Sequence, residues 1–240
     1  DTLDLMEAIN EARQAVWHKQ PQGFLAEAIL DVDGTIAGTL GECKGGMSLS
    51  YKGIWGYAPL IVSLANTKEV LYLVNRPGHA PSQQGAPAWI DRAIALVQPH
   101  AGTICLRGDT DFSQTTELDR WDQRGVKFVF GMDAHPKLVA RAQGLDKAHW
   151  RGFVRAAPEL KTEPRQRVDS VKEQIVKERG YLNQRLESEQ VAEFDYQPVA
   201  CQRSYRMVVL RKNLSVERGE KVLFEDVRYF FYITNRTDLE

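Results

Sequence analysis

Residues 24–35 read Phe-Leu-Ala-Glu-Ala-Ile-Leu-Asp31-Val-Asp33-Gly-Thr35. The run 24–32 is apolar on both faces, the pattern of a strand in the middle of a sheet. Asp33-Gly34 closes it with turn chemistry. Downstream, 57–65 (YAPLIVSLA) and 69–75 (EVLYLVN) are two more strands, joined by the hairpin-length Asn66-Thr67-Lys68. Pro87 opens and Pro99 ends a helix over 87–97, with Trp89, Ile90, Ala93, Ile94 and Val97 on its apolar face. A short strand at 103–106, a helix at 115–124 closed by Gly125, a strand at 126–130 and a helix at 136–143 follow.

A three-strand meander followed by βα units predicts an α/β fold in the ribonuclease-H-like order: a mixed sheet with flanking helices on both faces. The spacing places its core at 24–144. Residues 1–23 form an N-terminal helix, capped at Asp1 or Thr2, with Leu5, Ile9, Ala12 and Val16 at helical spacing. Beyond the core the pattern predicts an insertion over 145–228, a charged helical arm and then strands. The arm rests on 151–193, where nine Lys+Arg mix with eight Asp+Glu and Val168, Val171 and Ile175 make a sparse stripe. The strands rest on YRMVVLRKN and KVLFEDVRYFFYIT, with Gly219 as the turn. Residues 229–240 end the chain as a strand and a short tail.

The chain has 240 residues, 43% apolar and 26% charged, with 31 Lys+Arg against 32 Asp+Glu. That profile excludes a collagen, a disordered tail or a disulfide mini-protein. The longest apolar stretch, 57–65, is about half of the ~20 residues a membrane helix needs. Cys43, Cys105 and Cys201 lie far apart with no CxxC, which fits a reducing compartment and no zinc ribbon. With no secretory leader pattern at its start, the chain is expected to be cytoplasmic. Near-zero net charge means that nucleic-acid binding has to be argued from the site. Residues 203–228, with seven basic and four acidic side chains, carry only a mild excess for phosphates.

The chemistry-bearing residues are acids where strands end: Asp31-Val-Asp33-Gly-Thr35 after the first strand and Arg107-Gly-Asp109-Thr-Asp111 after the fourth. Asp31 and Asp33 point the same way from a strand. Carboxylates converging on one sheet edge repel, and a divalent cation relieves them; Mg²⁺ takes one or two carboxylates together with phosphate oxygens. In two-metal sites a pair of ions ~3.5–4 Å apart serves in-line phosphoryl displacement. Either acid motif alone reads as a strand-end turn that caps backbone groups; together, on the first and fourth strands of this order, they point to a metal site. Asp31-Val-Asp33-Gly-Thr35 also resembles the haloacid-dehalogenase-like phosphatases, with Asp31 as nucleophile and Asp33 as acid/base. Those folds continue with parallel βα units, and they need a lysine before the last acid; none lies between Lys68 and Asp109.

A fuller resemblance runs through ILDVDGT, SYKGIWGYAPLIVSLANTKEVLYLVNRPG, LRGDTDF, GVKFVFGMDAHP and RYFFYITN. With these motifs in order, the chain resembles the IS4-type DDE transposases, most of all the IS1380 family of bacterial insertion sequences. The resemblance implies a ribonuclease-H-like core in which two aspartates and a glutamate hold Mg²⁺, with Mn²⁺ as a substitute. It implies cleavage and joining of DNA at the element's ends by a homodimer in a synaptic complex, in the cytoplasm at the nucleoid, with no membrane or small-molecule substrate. By position Asp33 is the first catalytic acid and metal ligand and Asp109 the second. Asp31 and Asp111 are unassigned neighbours, and Arg76-Pro77-Gly78 matches a segment without an assigned role. The family's glutamate lies on a helix beyond the tyrosine-rich strand. Glu240 is too close to Asn235 to be that residue, and Glu225 is expected to precede the strand. The chain is therefore expected to be cut at both ends, without an N-terminal DNA-binding segment and without the third acid. A non-catalytic DNA-binding remnant is the other reading. His79 is expected as a loop hydrogen-bonder and His135 as a first-turn residue of its helix.

Overall fold

The computed structural model describes residues 1–41, 43–155, 171–219 and 221–238. In chain order the elements are α1 (Thr2–Trp17), β1 (Leu25–Gly34), β2 (Ala37–Gly38), β3 (Ser48–Leu49), β4 (Trp55–Tyr57), β5 (Leu60–Leu64) and β6 (Glu69–Val74). Next come α2 (Ala86–Val97), β7 (Ala101–Gly108), α3 (Leu118–Gln123), β8 (Lys127–Met132), α4 (Pro136–Gln143), β9 (Arg151–Gly152) and α5 (Val171–Glu178). Three long strands finish the chain: β10 (Leu182–Tyr196), β11 (Tyr205–Arg218) and β12 (Lys221–Thr234). Two compact units divide them, one of 1–132, 195–207 and 232–240, the other of 133–194 and 208–231.

In the first unit the sheet runs β6-β5-β1-β7-β8, followed by the end of β12 and the start of β11. β1 pairs antiparallel with β5, and β5 with β6, which is the meander read from sequence. On its other side β1 pairs parallel with β7, and β7 with β8. The sheet is therefore mixed, unlike the all-parallel order that the phosphatase resemblance calls for. β1 is central, but its two faces differ: Ala28, Leu30 and Val32 are buried, while Ile29 and Asp31 are half-buried and Asp33 is exposed. α2 packs on β1 and β5; its Ile90, Ala93, Ile94 and Val97 are buried, as are Leu60, Val62 and Leu64 of β5. Each such aliphatic side chain contributes roughly 1.5–3 kcal/mol by leaving water. Past β7, Phe112 joins Leu118 and Trp121 of α3 and Phe128 and Phe130 of β8 in the core. Thr234 Oγ1 donates to Phe128 O (2.6 Å), and Asn235 Oδ1 accepts from Phe128 N (2.9 Å), which pins the end of β12 beside β8.

α1 forms with a reciprocal cap between Asp1 and Asp4. Its docked face is not the apolar stripe. Leu5, Ile9 and Val16 are 61%, 49% and 55% exposed. Asn10 and Trp17 are buried instead: Asn10 Nδ2 donates to Leu71 O (3.2 Å) and Trp17 Nε1 to Glu69 Oε2 (3.2 Å). Arg13 adds an ion pair with Glu69 at 3.0 Å. The helix is held to the edge strand by polar contacts.

The second unit corrects the charged helical arm. Only α5 is helical among the described residues of that stretch, and 182–196 is a strand. β10 hides its nature because most of it is exposed on both faces, with Glu189 and Ala192 its buried residues. The strands run β12-β11-β10-β9 here. Glu189 is clasped by Arg155 through two bonds (2.9 and 3.0 Å), with Lys212 3.5 Å away. Gly219 supplies the turn at φ 61°. β12 starts at Lys221, so Glu225 lies inside the strand rather than before it. Val168 and Glu240 lie outside the described residues. Among the described residues no helix is long and apolar enough to cross a membrane.

Candidate metal centre at the strand ends

Val32 pairs with Gly108 in the parallel β1–β7 register. The next residue on each strand is an aspartate, so Asp33 and Asp109 leave the carboxyl edge of the sheet side by side. The pleat puts them on one face, opposite Val32 and Gly108. A Cβ on Gly108 would meet Phe112, Val32 and Phe130, so that side of the strand is core. A 3₁₀ turn, Thr110–Phe112, follows at once, with Asp109 as its cap. Asp109 Oδ1 accepts from Asp111 N (3.0 Å), and Asp33 Oδ1 accepts from Gly34 N (2.7 Å). Both acids thus do cap backbone groups, each with one oxygen. Nothing among the described residues donates to the second oxygen of either.

Burial pushes the Asp109 carboxyl up from its ordinary value, and the charges of Asp111 and Asp33 push it further. Two hard-oxygen donors that repel each other at an open edge suit a hard divalent cation. Among the described residues there is no group of three or more His, Cys, Asp or Glu side chains able to hold a metal. The structure brings a pair together, not a triad.

Asp31 has a different partner. It pairs across the strands with Arg107, which donates through Nε to Oδ1 (2.7 Å) and Nη2 to Oδ2 (2.8 Å). Both oxygens of Asp31 are thereby engaged, which does not suit a nucleophile. Arg107 was missed in sequence, although it stands two residues before Asp109 and so on the same face. His79 is a loop hydrogen-bonder: Nδ1 lies 2.7 Å from Ser48 Oγ, and its backbone N–H donates to the same oxygen (2.9 Å). His135 caps α4 ahead of Pro136.

No curated protein matches the chain. Among solved structures, a cryo-EM structure of a piggyBac transposase synaptic complex with hairpin DNA is similar at TM-score 0.41 and 12% identity. That match covers 88% of this chain and 34% of the other, so the chain spans about a third of that protein's length. The family model described as transposase DDE domain group 1 matches residues 2–235, nearly the whole sequence. The chain belongs to the transposase DDE domain group 1 family.

Proposed function

We propose that the chain carries the catalytic core of an IS4-type transposase most like the IS1380 family, with Asp33 and Asp109 as two of its metal-holding acids. The observation that carries this reading is the pairing of the two aspartates one step beyond Val32 and Gly108, at the end of parallel neighbours. Asp33 and Asp109 would hold Mg²⁺, or Mn²⁺ in its place, and the chemistry such an ion would supply is activation of the attacking oxygen and stabilisation of the leaving one in phosphoryl transfer. Asp33 and Asp109 hold their carboxylates at the open edge. The backbone bonds from Gly34 and Asp111 fix one oxygen of each and leave the other outward. Arg107 neutralises Asp31, so the negative charge of β1 is concentrated at Asp33. The substrates are insertion-sequence ends and target DNA, and two copies work together in the synaptic complex.

With the two acids that the described residues bring together, cation binding is expected to be loose and cleavage slow, because groups that act as a unit fail together. Loss of a single electrostatic donor already costs ~10²–10³-fold in rate. Residues 1–240 are therefore expected to bind Mn²⁺ weakly, to bind DNA weakly and in a salt-dependent way, and to nick no DNA detectably. Electron paramagnetic resonance of Mn²⁺ tests the site, with Asp33→Asn and Asp109→Asn each abolishing binding. Mn²⁺ bound equally by wild type and both variants would refute the assignment. Nicking of a labelled element end by this chain, abolished by Asp33→Asn, would show that the third acid is already within it.

A further inference from the structure

Arg76-Pro77-Gly78 has no part in the chemistry above, yet its surroundings are specialised. Arg76 donates through Nε to Ala58 O (2.9 Å) and through Nη1 to the carbonyls of Pro81 (3.2 Å), Ser82 (3.0 Å) and Gln84 (2.8 Å). Its Nη2 is buried and has no partner. No carboxylate offsets the guanidinium charge among the described residues; burial alone bears on its pKa, lowering it. A buried charged donor left unmade costs more than the ~1–3 kcal/mol of a neutral one. Pro77 bridges to Tyr57, and a Cβ on Gly78 would stand 2.3 Å from Ser48 O and 2.7 Å from Gly56 O. The glycine is thus required by close backbone approach, and the turn it permits carries Arg76 into place.

Arg76 belongs to the wall of a cleft of about 710 Å³, lined also by Thr35, Lys52, His79, Ser82 and Asp111. That volume lies within the ~300–1,000 Å³ of small-ligand sites. Two cations, Arg76 and Lys52, face one carboxylate, Asp111. The cleft adjoins the acid pair: Gly34 follows Asp33 and also lines it, and a Cβ there would sit 3.6 Å from Ser82. A planar guanidinium with free donors is suited to phosphate oxygens.

We propose that this cleft seats one phosphodiester of the DNA strand, received by the charge of Arg76 with Lys52 beside it, next to the Asp33–Asp109 edge. The assignment to DNA rests on the reading of that edge as the DNA-processing site. The seat makes Arg76 a strand-positioning residue, held in place by its bonds to four carbonyls.

Fluorescence anisotropy of a labelled single-stranded 12-mer on the 240-residue chain tests this, with inorganic phosphate as competitor at constant ionic strength. Arg76→Ala risks unfolding, so Ser82→Asp is the decisive variant: it places a carboxylate on the cleft wall that Arg76 also lines, offsetting the positive charge there. It is expected to keep or raise Tm while weakening the 12-mer about tenfold or more, the scale of a charged hydrogen bond. Lys52→Ala should lower the salt slope by about one. A folded Ser82→Asp that binds the 12-mer like wild type overturns the seat. Phosphate binding sensitive to Ser82→Asp, with no 12-mer binding, overturns its assignment to DNA. Mn²⁺ resonance on the same samples separates the two readings. Mn²⁺ bound with oligonucleotide indifferent to Ser82→Asp sinks the seat alone. Ser82-sensitive oligonucleotide binding without Mn²⁺ sinks the metal reading and supports the seat.

Discussion

Gly108→Ala adds a single methyl group one residue before Asp109, and the structure states what that methyl meets. Its Cβ would lie 2.9 Å from Phe112 Cβ, 3.0 Å from Val32 Cγ1 and 3.1 Å from Phe130 Cδ1. None of the three can step aside easily, since Val32, Phe112 and Phe130 are 5%, 1% and 0% exposed. Crowding of this kind costs ~1–3 kcal/mol. Loss of glycine's freedom in the unfolded chain returns ~0.4–1 kcal/mol. The net is a destabilisation of about 1–2 kcal/mol, which in a chain of this size lowers Tm by about 2–8 °C. The relief route for the clash is movement of the 108–112 backbone, so Mn²⁺ affinity should fall as Asp109 shifts. Gly152→Ala is the control: nothing lies within 4 Å of its Cβ and its φ is not positive, so the change should stay within about 0.5 kcal/mol. Circular dichroism melts and Mn²⁺ titration of both variants decide the matter. A Gly108→Ala melt within about 1 °C of the control, with unchanged Mn²⁺ affinity, would refute the packing argument.

Asp33→Asn removes one of the charges that raise the Asp109 pKa, so the Asp109 titration followed by NMR should move down. The same change should weaken Mn²⁺ at least about tenfold, since even the outer partners of ligands are worth ~10–100-fold. His100 is held below its ordinary 6.5 by burial and by the neighbouring His18 charge. The unfolded chain therefore binds a proton that the folded one resists, and stability should fall as pH drops through 6.5, a loss that His100→Gln abolishes in pH-dependent urea melts. Gly78→Ala forces a methyl group against two carbonyl oxygens and should cost more than Gly108→Ala, with the loss of 12-mer binding read in the same anisotropy assay.

The meander, the βα order and both edge aspartates were legible because each rests on local pattern: apolar runs, prolines at helix ends and acids after strands. β10 was not, because Leu182, Arg185 and Leu186 are all exposed and no alternation marks a buried side. Its strand character comes from pairing with neighbours, which a window of sequence does not contain. The apolar stripe of α1 misled about its docking for a related reason. Asn10, Arg13 and Trp17 attach it through hydrogen bonds to Leu71 and Glu69, and hydropathy assigns them no such value. In the candidate site the acids could be named from spacing, whereas the Arg107–Asp31 bond and the unspent nitrogen of Arg76 depend on which strands and loops become neighbours.

The Arg107–Asp31 pair has a further meaning as an alignment key. The two residues are opposite each other in the register, and Asp33 and Asp109 lie one pleat further along the same two strands. Sliding β7 by one residue would turn its outward side chains inward, breaking the ion pair and separating the aspartates in the same motion. Exchanging the two charges, as Asp31→Arg with Arg107→Asp, would preserve the key, whereas either change alone would set like charges face to face. What reads as two acids crowded on one strand end is therefore an electrostatic division of labour: one acid is spent on keeping the strands in step so that its neighbour can meet a partner across the gap.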